Sequence, residues 1–230
     1  MNQDLQRTLG RSGDELVVRN RVLRNTYWLL ALSMLPTILG AWLGVQFKFS
    51  FFAGSPMIGF MLFMAIAFGF MFAIEKTKNS SMGVVVLLGF TFFMGLMLSR
   101  LVGNILGMSN GASLIMTAFG GTAIILAVMA TIATTSKRDF SGMGKWLMVG
   151  FLVVLVAMVA NIFLQLPALH LTISVIIIGI SSAFILYDVQ RIVNGGETNY
   201  ITATLGIYLS IYNIFSNLLA LLGIFGGSRD

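Results

Sequence analysis

The chain contains no cysteine and a single histidine, His170. The lack of cysteine excludes disulfides, thiol nucleophiles and thiolate metal sites. One histidine cannot supply the several ligands of a hydrolytic zinc centre. Only one aspartate, Asp188, lies within an apolar segment, so an intramembrane protease with two catalytic aspartates is excluded as well. We therefore predict that the protein is not an enzyme, with no catalytic residues, no metal site and no cofactor.

Charge is also scarce, and this determines the class of protein. Charged residues make up 10% of the 230 residues and hydrophobic residues 57%, and the mean hydropathy is +0.94. A soluble domain has about 25% charged residues. The sequence therefore predicts an all-α, polytopic membrane protein. Seven apolar runs approach the ~20 residues that a helix needs to cross a bilayer. They cover residues 26–45, 56–74, 81–98, 111–134, 145–165, 168–189 and 202–225.

The basic residues predict the orientation of these spans. Eleven Lys and Arg residues fall in the N-terminal tail and the second, fourth and sixth loops, and three fall on the opposite side. Because basic residues are retained in the cytoplasm, the N-terminus is predicted to be cytoplasmic and the C-terminus external. If the organism has an outer membrane, the helical spans predict the inner one, since outer-membrane proteins are typically barrels. We interpret the net charge of +6 as a topology signal and as contacts for anionic lipid headgroups, not as a nucleic-acid site.

Three parts of the chain follow from this: a cytoplasmic tail over 1–25, a transmembrane domain over 26–225 and a short external tail over 226–230. Ser12 and Glu15 have capping-box spacing, which predicts a short interfacial helix over 14–25. Two interpretations of the tail stay open: it only sets topology, or it also binds a cytoplasmic partner. The candidate partner-binding residues are Arg7, Arg11, Asp14, Glu15 and Arg19.

Small residues separated by three positions predict where helix backbones approach each other. Gly40 and Gly44 have this spacing, and so do Gly103 and Gly107. Small residues at such positions allow close packing of membrane helices. We predict internal packing at both pairs.

The candidate polar site consists of Asp188 in span six and one face of span seven. Ser210, Asn213 and Asn217 share that face, and because polar side chains avoid lipid we predict that it faces the bundle interior and bonds to Asp188. Arg191, three residues after Asp188, is a potential ion-pair partner. Two interpretations stay open: hydrogen bonding between helices, and a proton or cation site.

Five stretches of the chain carry a resemblance to a known family. They are Arg24–Tyr27, Asn161–His170, Gly195–Tyr200, Tyr208–Phe215 and Ser228–Asp230. These stretches resemble the Bax inhibitor-1 family of seven-span membrane proteins, and within it the bacterial YccA type. The resemblance covers the chain from about Val22 onward. It implies a bundle in which six helices surround a central seventh.

The resemblance also implies two activities. YccA-type proteins associate with the FtsH membrane protease and its HflK/HflC partners, and they act as its substrate and restrain it. Calcium-leaking relatives use paired aspartates on spans six and seven as a pH sensor. Asp188 matches the aspartate of span six, whereas Ser210 stands at the position of its partner, and one carboxylate beside a hydroxyl does not titrate as a coupled pair. We therefore predict a modulator of FtsH in membrane-protein quality control, with a proton or calcium-type cation leak through Asp188 as the alternative.

Overall fold

The computed structural model describes the backbone of residues 2–49 and 56–227 and the side chains of residues 17–49 and 57–227. The described residues form seven helices, each with a segment long and apolar enough to cross a membrane. The helices are α1 (Asn2–Gln46), α2 (Pro56–Thr77), α3 (Ser81–Leu106), α4 (Gly111–Thr135), α5 (Met143–Leu164), α6 (Pro167–Val193) and α7 (Tyr200–Gly226). The predicted all-α polytopic fold is confirmed.

Helix α7 lies at the centre of the bundle. It packs against α6, α4, α1 and α3 and touches α2, whereas α5 packs mainly against α6. Ile207, Tyr208, Ile214 and Leu219 of α7 are fully buried. The prediction of a central seventh helix is therefore confirmed. Helix α5 is peripheral because most of its apolar side chains face outward, where lipid is as favourable an environment as a protein core.

Two helices extend furthest beyond their apolar runs. Helix α1 begins at Asn2, so Ser12 lies inside it and the prediction of a cap at Ser12 is wrong. Residues 14–25 are helical as predicted, but they continue an existing helix, since propagation costs far less than nucleation. Helix α3 extends eight residues beyond the predicted end at Leu98. Arg100 does not stop it because this side chain is exposed and can extend its charge toward water.

Helices α1 and α3 are in backbone contact. A Cβ atom added at Gly40 would overlap the carbonyl oxygen of Phe92, and one added at Gly44 would overlap Ser99. The predicted packing at this glycine pair is confirmed. The second pair differs: Gly103 faces Val45 of α1, whereas Gly107 follows the end of α3.

Candidate functional site

The carboxylate of Asp188 lies in the seam between α6 and α7. Asp188 is half-buried, and a Cβ atom at Gly206 of α7 would lie 2.8 Å from its Oδ2 atom and 3.3 Å from its Cγ atom. The carboxylate therefore occupies the space that a side chain at position 206 would need. No ion pair of Asp188 forms within the described part of the chain. A membrane carboxylate without a partner carries a desolvation cost. Glycine at position 206 leaves room for the carboxylate, whereas a Cβ there would require the Asp188 side chain to shift.

The polar face of α7 continues from this contact. Ser210 is buried, and Asn213 and Asn217 are half-buried. The Ser210 hydroxyl donates to the carbonyl oxygen of Gly206 at 3.1 Å, and the Asn217 amide donates to the carbonyl oxygen of Asn213 at 2.8 Å. These bonds lie within α7, so the predicted hydrogen bond to Asp188 is not among them. Asp188 is placed one turn nearer the start of α7, at the level of Gly206.

Arg191 pairs with a different acid from the one predicted. Its guanidinium donates to Oε2 of Glu197 at 3.3 Å, and the pair with Asp188 is not formed between the described side chains. The other carboxylate oxygen of Glu197 accepts from the Asn199 amide at 2.9 Å. Asn199 caps α7 by accepting from the amide of Ile201, and its side chain donates to the carbonyl oxygen of Lys78. The stretch 194–199, loop six, thus joins α6, α7 and the loop over 78–80, loop two.

Gln190 fixes the connection between α4 and α5. This side chain is 4% exposed; it donates to the carbonyl oxygen of Arg138 and accepts from the amide of Phe140, both at 2.6 Å. Within the same stretch, 136–142 or loop four, the amide and hydroxyl of Ser141 donate to the Asp139 carboxylate. Those two bonds hold the pKa of Asp139 below its ordinary value. Gln190, two residues after Asp188 in α6, therefore anchors loop four.

Arg19 of α1 approaches loop six at the same end of the bundle. Gly195 has a φ of +76°, and a Cβ atom there would lie 3.3 Å from the Arg19 Nε atom. A side chain at this position would be strained by its backbone conformation and close to the guanidinium. The N-terminal helix and loops two, four and six therefore meet at one end. The other predicted tail residues lie outside the described side chains: Arg7, Arg11, Asp14 and Glu15.

A buried hydroxyl network joins α1, α3 and α7. The Tyr208 hydroxyl lies 2.8 Å from Oγ1 of Thr37, and both hydroxyls approach the carbonyl oxygen of Thr91. Tyr208 also packs edge-on against Phe90, with ring centroids 6.3 Å apart. These contacts hold α7 against α1 and α3. The hydroxyls bond within the protein because the membrane interior offers no water.

The described residues hold no cluster of three or more His, Asp or Glu side chains that fits a metal ion. A family comparison gives the class of protein directly. The family model described as "Inhibitor of apoptosis-promoting Bax1" matches residues 19–227. The chain belongs to this family. The predicted resemblance is thereby confirmed.

Several bacterial proteins are similar to this chain over nearly its whole length. The "Modulator of FtsH protease YccA" of Escherichia coli K12 is 42% identical over 94% of both chains. An "Inner membrane protein YccA" from Escherichia coli O6:H1 has the same identity and coverage. An uncharacterised protein of Neisseria meningitidis serogroup A is 39% identical over 90% of this chain and 92% of its own. The predicted YccA type is therefore confirmed as well.

Sequence reasoning missed three anchoring residues of this Bax1-inhibitor family member. Tyr208 and Asn199 lie in the stretches that carried the family resemblance, but they were not assigned a role. Gln190 lies next to the predicted Arg191 and had no assignment either. A signal did exist for each, since a hydroxyl, an amide and a second amide stand in or beside apolar runs, where polar groups require partners.

Proposed function

We propose that this protein is an inner-membrane protein that binds an FtsH-type protease and restrains it in membrane-protein quality control. The observation that carries the proposal is the 42% identity, over 94% of both chains, to a protein named as a modulator of FtsH protease. The aligned 215 residues are 94% of this chain, so the similarity is not confined to one span. HflK/HflC-type proteins are part of the proposed assembly.

We infer a cytoplasmic N-terminus. Support comes from the positive-inside rule and from the contacts that bring Arg19, loop two and loop four to the same end of the bundle as loop six. The basic loops thus share one side of the membrane.

The tail over 1–25 is the proposed contact for the protease. Because α1 is helical from Asn2, residues 2–16 span roughly 20 Å at 1.5 Å per residue. This length and its mixed charge suit a cytoplasmic docking segment. The proposed contact residues are Arg7, Arg11, Asp14, Glu15 and Arg19.

Affinity purification tests the proposal. The tagged protein is recovered from native membranes in mild detergent, and the turnover of a membrane substrate of the protease is followed with and without overexpression. We expect recovery of the FtsH complex and slower turnover. Absence of the complex together with unchanged turnover would reject the function.

Two charge variants then test the tail. One replaces the four tail charges at 7, 11, 14 and 15 with alanine, and the other replaces Lys137 and Arg138 of loop four with alanine. The tail variant should lose the complex and the loop variant should keep it. Equal recovery with both variants would reject the tail as the contact while leaving the function in place.

The carboxylate of Asp188 lies between α6 and α7 and has no ion-pair partner among the described side chains, which favours a second candidate function, a proton or cation leak. In proteoliposomes, Asp188→Asn should then reduce flux, and Ser210→Asp should add pH sensitivity by creating a coupled acid pair. Equal flux in the wild type and in Asp188→Asn removes this candidate.

A further inference from the structure

A groove opens on the outside of the bundle between α1 and the first residue of α7. Its volume is about 410 Å³, and it is lined by Asn25, Trp28, Leu29, Leu32 and Tyr200. The indole of Trp28 is 73% exposed, and Leu32 is 45% exposed. The groove therefore faces the surrounding membrane and not the interior of the bundle.

Two cations lie at one end of this groove. Arg21 and Arg24 are both exposed, and they precede Asn25 and Trp28 by one helical turn on the same face of α1. Neither arginine forms an ion pair within the part of the chain that the structure describes. Their charges are therefore free to bind an anion that enters from the level of the lipid headgroups.

Two neutral polar groups of the groove are also unpaired. Within the described part of the chain, neither the side-chain amide of Asn25 nor the hydroxyl of Tyr200 has a hydrogen-bond partner. Thr26, between the arginines and the aromatic lining, is instead fully buried, and its hydroxyl donates to Val22. Within the motif Arg24–Tyr27, Thr26 therefore packs inside the bundle. Arg24 and Asn25 instead have charged and polar groups that can bind a ligand.

We propose that this groove is a binding site for one anionic phospholipid. Arg21 and Arg24 bind the phosphate, Asn25 and Tyr200 bond to the headgroup or the ester region, and an acyl chain lies along the apolar wall toward Leu32. The eight residue steps from Arg24 to Leu32 rise ~12 Å, which suits a headgroup at one end and the upper part of an acyl chain at the other. Charge complementarity selects this occupant, because a purely apolar partner would leave both cations and both polar groups unused.

Tryptophan quenching by brominated lipids tests the site. The chain has three tryptophans, so Trp42→Phe with Trp146→Phe leaves Trp28 as the reporter, and Trp28→Phe with Trp146→Phe leaves Trp42 as the control. Each protein is reconstituted in phosphatidylcholine vesicles that contain either brominated phosphatidylglycerol or brominated phosphatidylcholine. We expect Trp28 to be quenched with a preference for phosphatidylglycerol of about five-fold or more, since one basic residue near a membrane contributes about that factor. Trp42 should show no preference.

Charge variants separate a built site from general attraction to the surface. Arg21→Gln with Arg24→Gln should bring the preference at Trp28 to unity, whereas the corresponding pair of lysines should retain it. Lys137→Gln with Arg138→Gln removes the same charge at the same end of the bundle and should leave the preference unchanged.

Three results would overturn the assignment. The first is equal quenching by both lipids at Trp28. The second is a preference that inorganic phosphate abolishes, which would identify a phosphate site instead of a lipid site. The third is weaker quenching at Trp28 than at Trp42 with both lipids, which would indicate that protein covers the groove.

Discussion

Replacing Gly95 with alanine tests the backbone contact that holds α1 against α3. A Cβ atom at Gly95 would lie 2.9 Å from the carbonyl carbon of Thr37 and 3.0 Å from the amide nitrogen of Ala41. Non-bonded carbon atoms pack at about 3.5–4.0 Å, so α1 would have to move away by roughly 1 Å. The obstructing atoms belong to a helix backbone, which cannot rotate aside as the end of a side chain can.

The expected loss of stability follows from three contributions. Overpacking costs about 1–3 kcal/mol. Movement of Thr37 would also stretch its 2.8 Å contact with the Tyr208 hydroxyl, and a hydrogen bond between membrane helices is worth ~0.6 kcal/mol on average. The higher helix propensity of alanine returns about 0.5–1 kcal/mol. The net destabilisation should therefore be about 1–3 kcal/mol.

The assay is thermal loss of monodisperse protein in mild detergent, followed by size-exclusion chromatography. Gly40→Ala makes the reciprocal clash with the Phe92 carbonyl and should lower the midpoint as Gly95→Ala does. Gly69→Ala is the matched control, because no atom lies within 4 Å of its added Cβ. If Gly95→Ala and Gly69→Ala lose monodispersity at the same temperature, α1 and α3 are not in backbone contact and the reasoning is refuted.

Three further substitutions test contacts of α6, α7 and loop four. Tyr208→Phe should lower the thermal midpoint by removing a buried hydroxyl contact worth about 0.6–1.7 kcal/mol, whereas Tyr187→Phe, with no hydrogen bond in the described part of the chain, should not. Gln190→Ala frees two backbone groups of loop four, so trypsin should cleave that basic loop faster. Gly206→Ala places a Cβ 2.8 Å from the Asp188 carboxylate, the end of a side chain that can rotate aside, so it should destabilise less than Gly95→Ala, by about 1 kcal/mol, with Asp188→Ala in the same chain restoring the loss.

Control variants decide how these results are interpreted. Gln46→Ala changes an exposed glutamine and should leave trypsin cleavage of loop four unchanged. Gly179→Ala adds a Cβ on an exposed part of α6 with nothing within 4 Å; it should be neutral and serves as the control for Gly206→Ala. Unchanged cleavage in Gln190→Ala, or failure of Asp188→Ala to rescue Gly206→Ala, would contradict the corresponding contact.

The spans were predictable because each segment must by itself be apolar and long enough to cross the bilayer. Three helices begin where the apolar pattern begins, at Pro56, Ser81 and Gly111. Helix ends were less predictable. A helix satisfies its own backbone whether or not its side chains are apolar, so α3 continues past Arg100, and α1 begins far ahead of its apolar run.

The candidate site was less predictable than the spans, as Arg191 illustrates. Spacing along one helix offered Asp188, three residues earlier, as its partner. The turn after α6 brings Glu197 back to the guanidinium instead, and Gly195 permits that turn with a φ of +76°. Spacing along α6 cannot identify the partner of Arg191, because the path of loop six decides which acid lies beside the guanidinium.

A seven-helix membrane protein of the Bax1-inhibitor family could be recognised from the order of residues, because hydropathy and family motifs are both read along the chain. Which polar groups meet depends on how the helices pack. The Asp188 carboxylate lies against Gly206, Tyr208 holds α1 and α3, and Gln190 anchors loop four. An apolar helix is stable in lipid whichever helix lies beside it, so hydropathy alone does not specify its neighbours. Close backbone approach at glycines and the partners required by buried polar groups then select the neighbours.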